Sequence, residues 1–494
     1  MNRQPLKILF VTSEVFPLIK TGGLADVSSG LPLALHALGH DVRIIVPGYK
    51  TALEKAGKTR VKLKSLNGTS IRLLEGSLPE SKLPVWFVDC PELFFRNGGP
   101  YGAANGIDWP DNAERFNTFS KVSYQVATNK VKLNWQPDIV HCNDWQSGLV
   151  PAYLWKETTR PATIFTIHNL AYLGLFPKQT FEQLSLDEAW WDHEKLEFHN
   201  QLSYLKGGLV YADRINTVSP TYAQQILTPE FGYGMEGLLA YRQDCLSGIL
   251  NGIDNHLWNP EKDPLITKNF TFETIDDKQI NKEAIQKHFN LPVDKGKALI
   301  GIIGRMVEQK GFDLILNILT ALMHHNVQIV MLGSGDKELE AELLKSMNLF
   351  PDRISIELGY NESLAHLIEA GSDMFLMPSR FEPCGLNQFY SLRYGTVPIV
   401  SHTGGLADSV VDSTAETLEN QTATGFKFYQ STPEALHGTL TRAIASYNSP
   451  SEWRKIIKNG MQQNFSWTKS AQRYLSLYQE AIKSQGSQAT NKSV

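Results

Sequence analysis

Three stretches carry residues whose types and spacing suit a diphosphate held beside a sugar. The first is Lys20-Thr21-Gly22-Gly23-Leu24-Ala25-Asp26. A Gly-Gly turn that opens a helix offers backbone N–H groups to phosphate or hydroxyl oxygens, and Lys20 adds a cation just ahead of it. Asp26 falls in the first helical turn, where the helix dipole alone favours a carboxylate. The dipole gives no reason for Lys20. The second stretch is Gly304–Gly311, where Arg305 and Lys310 bracket a strand-to-helix loop and can clamp a diphosphate from two sides. A solvated surface loop is the plain alternative. The third is Pro378–Leu386. It places Glu382 just past an apolar strand, as an acceptor for sugar hydroxyls, and Gly385 and Leu386 at the next helix start. Cys384 has no base beside it in sequence and reads as a small packed neighbour, not a nucleophile.

Two more polar breaks end apolar strands: His141-Cys142-Asn143-Asp144-Trp145 and Thr166-Ile167-His168-Asn169. They put Asp144 and His168 at the lip of the N-terminal sheet. A lone histidine is more often structural, but two such strand ends beside the Lys20 turn favour a site.

The hexapeptide Thr-Gly-Gly-Leu-Ala-Asp occurs twice, at Thr21–Asp26 and Thr403–Asp408. Each copy follows a strand-like run, Ile8–Thr12 or Val397–Val400, and opens a helix-like stretch. Thr403, Gly404 and Gly405 therefore read as a second ligand-facing turn, and the chain as two similar nucleotide-fold halves. There is no Asp-x-Asp triplet, no His-Glu-x-x-His and no close cysteine pair. No metal or cofactor is expected, so positive charge must come from Lys20, Arg305, Lys310 and helix N-termini.

The elements that position these residues follow from periodicity. Lys7–Thr12 reads as a buried strand, Leu24–Leu38 as an amphipathic helix and Asp41–Val46 as the next strand, a parallel βαβ unit. Val61–Leu74 alternates around Asn67-Gly68 and predicts a hairpin. Val85–Asp89, Asp138–His141 and Thr163–His168 predict further strands, and Asp111 with Glu114 a capping box. Asn251–Pro264 reads as a linker. Beyond it, strands are expected at Ala298–Gly304, Gln328–Leu332, Ile354–Leu358, Met374–Pro378 and Val397–Val400. Helices between them are expected at Phe312–Met323, Lys337–Met347, Glu362–Ala370 and Leu386–Tyr394. Three late helices close the chain, at Pro433–Tyr447, Ser451–Asn459 and Thr468–Lys483, before a polar tail that reads as frayed. Two doubly wound α/β domains result.

Bulk properties agree with this and exclude other classes. A chain of 494 residues exceeds one ordinary core, and 42% hydrophobic residues supply two. A net charge of −4 argues against nucleic-acid or anionic-membrane partners. Four scattered cysteines fit reduced thiols in a cytoplasm.

The motifs together resemble those of bacterial glycogen synthases and plant starch synthases. They are Lys20–Val27, Tyr101-Gly102 with Asp108–Asn112, His141–Trp145, Thr166–Gly174, Gly248–Asp254, Gly304–Gly311, Ser379–Leu386 and Thr403–Asp408. The resemblance spans Ile8 to about Tyr478. It implies a GT-B fold, two Rossmann-like domains facing a central cleft. Their extents would be 1–255 and 256–470, with a final helix at 471–494 packing back on the first. It implies retaining transfer of glucose from ADP-glucose to the non-reducing end of an α-1,4-glucan, glycogen or a malto-oligosaccharide. UDP-glucose as donor and an inactive glucan-binding scaffold are the alternatives. A homo-oligomer is left open.

Carried onto this chain, Lys20, Gly22 and Gly23 would contact the distal phosphate and glucose, with Asp26 in the same turn. Arg305 and Lys310 would neutralise the leaving diphosphate. Asp144, His168, Asn251 and Glu382 would hold glucose hydroxyls. Cys384, Gly385 and Leu386 would lie against sugar and phosphates, and Tyr360 would stack on adenine. Tyr101 and Trp109 would belong to a mobile flap near the acceptor. Ser401, where the family often has arginine, and Ala240, where a basic or polar residue is frequent, depart from the pattern.

Overall fold

The computed structural model describes residues 4–492 except 67 and 104, with side chains to residue 485. The chain forms two compact units. One runs to Gly252 and resumes at Trp467; the other is Ile253–Ser466. Both divisions stand slightly ahead of the sequence-suggested breaks, and local contacts explain why. Ile253 donates its N–H to the Phe465 carbonyl at 2.8 Å, which ties it to the second unit. Trp467 lies against Gly30, where an added Cβ would come within 2.0 Å of the indole nitrogen. Gly30 thus lets the final helix, Trp467–Lys492, approach the helix Gly23–Ala37 in the first unit.

The first unit is built on a nine-stranded sheet. Its order is Leu246–Gly248, Arg214–Thr217, Ala162–Ile167, Ile139–Asn143, Lys7–Val11, Asp41–Pro47, Pro84–Asp89, Arg72–Ser77 and Arg60–Leu63. All but the last two strands run parallel. Ile8, Leu9, Phe10 and Val11 have no exposed surface, as a central parallel strand covered on both faces requires. The predicted hairpin is the antiparallel pair Arg60–Leu63 with Arg72–Ser77; Asn67 lies outside the described residues. The final helix donates nothing to the sheet's ladder but closes one face. Tyr478 Oη lies 2.8 Å from His141 Nδ1, and Tyr474 Oη accepts from Asn216 Nδ2 at 3.0 Å.

The second unit carries a six-stranded parallel sheet: Ile354–Leu358, Val327–Gly333, Ala298–Ile303, Met374–Met377, Val397–Ser401 and Phe426–Phe428. Side-chain alternation feeds two cores. Ile300, Ile302, Ile329 and Met331 join the helices Phe312–Leu322 and Pro433–Tyr447 on one face. Leu299, Val330, Leu332 and Phe375 join Lys278–His288 and Glu362–Gly371 on the other.

Numbered along the chain, the parallel strands read 3-2-1-4-5-6 in the second unit, and the same with one more strand appended in the first. Each sheet therefore reverses direction beside its first strand. In the first unit the reversal lies between Lys7–Val11 and Ile139–Asn143; in the second, between Ala298–Ile303 and Met374–Met377. Ligands of such sheets bind beyond the strand ends at this point.

Two expectations need correction. Asp111 precedes the helix Asn112–Ala127 but makes no cap; both its oxygens accept from Arg96, a charge-assisted pair that outcompetes a capping bond. The stretch read as a linker is packed: Trp258 stacks on His366 at 3.7 Å and on Tyr390 at 3.8 Å. The final helix continues to Lys492; residues 493 and 494, the end of the tail read as frayed, lie outside the described residues.

Candidate active site

In the first unit the strand Lys7–Val11 ends in Thr12-Ser13-Glu14, and Glu14 organises the turn beyond it. Its carboxylate is buried, 3% exposed. Oε2 accepts the Thr21 N–H at 2.5 Å and the Gly22 N–H at 3.3 Å. Oε1 accepts the Thr21 hydroxyl and the Tyr101 hydroxyl, each at 2.6 Å. Sequence reasoning passes over Glu14. Its signal is a carboxylate set directly between a buried strand and a glycine turn.

This anchoring leaves the turn itself open. A Cβ added at Gly22 or Gly23 meets nothing within 4 Å, and neither residue has positive φ. Nothing among the described residues therefore demands glycine here, and the backbone is open to close approach. The helix Gly23–Ala37 begins without a side-chain cap. Lys20 pairs with Asp26 at 2.8 Å and lies over the Phe16 ring. Tyr101, expected on a mobile flap, is tied through its hydroxyl to Glu14 and Ser13, and burial raises its pKa well above the ordinary value. Trp109 is held by its indole N–H on the Gly99 carbonyl at 3.1 Å.

Across the reversal point, the strand Ile139–Asn143 delivers Asp144 at φ 53°, ψ −179°, a conformation that side chains other than glycine adopt only under strain. Its Oδ1 accepts the His168 backbone N–H at 2.7 Å. Burial pushes the Asp144 carboxyl up to about 7; the His168 and Asn169 amides oppose this and the Glu14 charge adds to it. The Asn143 amide donates Nδ2 to the Val11 carbonyl at 3.0 Å, so its Oδ1 accepts from His168 Nε2 at 2.9 Å. His168 is thereby fixed with its proton on Nε2, and burial drives its pKa down to about 3. It is a neutral, oriented ring. Asn251 is buried, and its Oδ1 has no partner among the described residues. Lys20, Gly22, Gly23, Asp144 and His168 thus share the strand-end region of this unit.

In the second unit two loops zip together at the reversal point. Arg380 N–H donates to the Gln309 carbonyl at 2.9 Å, and its guanidinium grips Asp313 at 2.7 and 2.6 Å. Gly311 lies at φ 75°, with the Pro378 carbonyl 2.1 Å from where a Cβ would be, so only glycine allows this approach. The result presents Lys310 to Glu382, Nζ to Oε2 2.5 Å, with the Ser379 hydroxyl on the same oxygen at 3.2 Å. Arg305, just past the end of the strand Ala298–Ile303, is exposed. Cys384 is buried and 5% exposed. Gly385, at φ 69°, and Leu386 lead into the helix Asn387–Arg393. Tyr360 is 74% exposed, a free aromatic face at the end of the strand Ile354–Leu358.

The second hexapeptide uses its glycines differently. A Cβ at Gly404 would stand 2.0 Å from the Glu382 carbonyl oxygen, and one at Gly405 2.2 Å from that of Cys384. The Gly405 N–H donates to the Pro383 carbonyl at 3.0 Å. Contrary to the expectation of a second open turn, Gly404 and Gly405 seat the helix Gly404–Ser409 against the 382–384 backbone. Thr403 is buried at the same contact. Ser401 fills its place by donating to the Ser379 carbonyl.

Among the described residues, no group of three or more His, Cys, Asp or Glu side chains is placed to hold a metal ion, and no helix is long and apolar enough to cross a membrane.

Family comparisons fit this geometry. The family described as "Starch synthase catalytic domain" matches residues 7–241, and "Glycosyl transferases group 1" matches 283–460. Glycogen synthase 1 of Methylococcus capsulatus is 53% identical over 477 residues, 97% of each chain. The glycogen synthase of Thioalkalivibrio sulfidiphilus is 49% identical, covering 97% of this chain and 100% of its own. The solved catalytic domain of starch synthase IV from Arabidopsis thaliana, bound to ADP and acarbose, is 31% identical. It superposes with a TM-score of 0.87 over 97% of this chain and 100% of that one. The chain belongs to the glycogen and starch synthase family and has its GT-B fold of two Rossmann-like domains.

Proposed function

We propose that the protein transfers glucose from ADP-glucose to the 4-hydroxyl at the non-reducing end of an α-1,4-glucan, with retention at the anomeric carbon. The observation that carries this is the Lys310–Glu382 pair at the second unit's strand reversal, with Arg305 exposed in the loop after the strand Ala298–Ile303. It stands in a chain about half identical to glycogen synthases over nearly its whole length. ADP and acarbose, bound by the Arabidopsis relative, represent the nucleotide and the glucan of such a reaction.

As the glucosyl–phosphate bond breaks, positive charge grows on the sugar ring and negative charge on the departing diphosphate. Arg305, Lys310 and Lys20 stabilise the latter, a fixed electrostatic contribution of the kind that dominates such catalysis. Asp144, the His168 carbonyl, Asn251 and Glu382 hold the glucose hydroxyls and orient the anomeric carbon. Tyr360 offers its exposed face to the adenine. Glu382 Oε2 is already engaged by Lys310 and Ser379, which favours a binding role over attack on the sugar. Retention then comes from same-face substitution. The acceptor 4-OH bonds to C1 where phosphate leaves, and the leaving phosphate takes its proton.

Positive side chains do the work that a divalent ion would otherwise do, so the reaction is proposed to proceed without metal, in the cytoplasm. The test is glucosyl incorporation into glycogen from ADP-glucose and from UDP-glucose, each with EDTA. A clear preference for ADP-glucose, unaffected by EDTA, is expected. Equal or better use of UDP-glucose would overturn the donor, and loss with EDTA the metal independence.

A further inference from the structure

Asn143, the last residue of the strand Ile139–Asn143, and Asp144 just past it hold His168 at two points. Asp144 Oδ1 accepts the His168 backbone N–H at 2.7 Å, and Asn143 Oδ1 lies 2.9 Å from the ring Nε2. Asn143 is fully buried, and its amide has one orientation. Nδ2 faces the Val11 carbonyl at 3.0 Å and the His141 carbonyl at 3.4 Å, and carbonyl oxygens only accept. A flipped amide would set Oδ1 against both. The backbone is fixed as well, because the Asn143 carbonyl accepts the Ser147 hydroxyl at 2.8 Å.

With Oδ1 toward the ring, the proton belongs on Nε2. The other tautomer would set two lone pairs face to face at 2.9 Å. Nδ1 then carries a bare lone pair. It has no hydrogen-bond partner among the described residues, and His168 is only half-buried. A ring held this way accepts from a ligand hydroxyl at Nδ1 and cannot donate to it. Charging the ring would reverse that. A neutral amide at Nε2 does not favour the charged ring, as a carboxylate in its place would.

We propose that Asn143 is a positioning residue of the transfer reaction, which fixes the His168 proton on Nε2 and so presents Nδ1 as an acceptor to a ligand hydroxyl. The kinetic consequence rests on the proposed reaction; the place of the proton does not, and is read without turnover. Four ionisable groups surround the pair. His141 is engaged with Tyr478 and Thr166, and Asp144 with the His168 amide. The Glu14 charge acts on Asp144, and the Tyr222 hydroxyl accepts the Leu170 N–H.

The test is NMR of the full-length protein with isotope-labelled histidine rings, between pH 5 and pH 9, with His168→Gln identifying the signal. The wild type should show a protonated Nε2 and a bare Nδ1 throughout. Asn143→Asp still accepts from Nε2, but its charge draws a second proton onto the ring as pH falls. Its kcat/KM relative to wild type should then drop about tenfold per pH unit on the acid side. Asn143→Leu should lose the Nε2 preference and lower kcat roughly 10–100-fold. The nearly isosteric aspartate keeps the test valid if the leucine variant does not fold. A proton on Nδ1 in the wild type, an unchanged preference in Asn143→Leu or no acid loss in Asn143→Asp would overturn the proposal. Without glucosyl transfer by the wild type the reaction itself fails, and the ring spectra alone decide the place of the proton.

Discussion

The Glu14 carboxylate grips both the amide and the hydroxyl of Thr21, at 2.5 and 2.6 Å, and so fixes the turn that precedes the first helix. Glu14 touches no reacting atom; it acts by position. Glu14→Gln sets an NH2 group against N–H donors and should lower kcat/KM roughly 10–100-fold, the scale of an ångström-sized misplacement. It should also destabilise the first unit by about 1–3 kcal/mol, the cost of a buried donor left unpaired. Thr21→Ser, which keeps the hydroxyl, should restore most of what Thr21→Ala loses. Steady-state kinetics beside urea unfolding check this.

The twin hexapeptides predict opposite outcomes for the same substitution. Gly22→Ala meets open space and should leave stability within about 0.5 kcal/mol of wild type. Its activity should fall tenfold or more, because the added methyl keeps the ligand off the backbone. Gly405→Ala drives a Cβ to 2.2 Å from the Cys384 carbonyl and should destabilise the second unit by about 1–3 kcal/mol. Equal effects of the two on stability would contradict the distinction.

That distinction marks where the sequence stops being informative. Strand-and-helix alternation placed most of both parallel sheets, because buried parallel strands read as short apolar runs such as Ile8–Val11 and Ala298–Ile303, but it missed the outer strands Arg214–Thr217, Leu246–Gly248 and Phe426–Phe428. Glycine reports that a side chain is excluded, not what excludes it. Gly22 and Gly405 therefore look alike until their surroundings are known. Glu14 escaped notice because a lone glutamate carries no pattern, and its burial depends on Tyr101, far away in sequence. Asp111 looked like a cap because Arg96, its partner, is set by the fold. Arg305, Lys310 and Glu382 stand out in the sequence because charge directly after an apolar strand is a local signal, and the fold brings Lys310 and Glu382 together.

Acid and base behaviour should separate Asp144 from His168. The folded Asp144 titrates near 7 against an ordinary 3.8, so the folded state keeps a proton that the unfolded chain has lost. Its contribution to stability is full below about pH 4 and declines as pH rises to about 7. Asp144→Asn removes that decline, changing the slope by up to about 1.4 kcal/mol per pH unit. His168 works in the opposite direction. Its folded pKa of about 3 lies below 6.5, so stability is lost as pH falls below about 6.5, and His168→Asn should flatten that loss. Urea unfolding midpoints at pH 5 and pH 7 read both.

The most direct measurement is transfer of labelled glucose from ADP-glucose to glycogen by wild type and by Lys310→Ala. The removed ammonium faces Glu382 at 2.5 Å and is assigned to the leaving diphosphate. Removing such a group should lower kcat roughly 100–1,000-fold in a protein that still unfolds cooperatively. Transfer by the wild type with that loss in the variant is the predicted result. Transfer by Lys310→Ala at the wild-type rate, or none by the wild type itself, would contradict it.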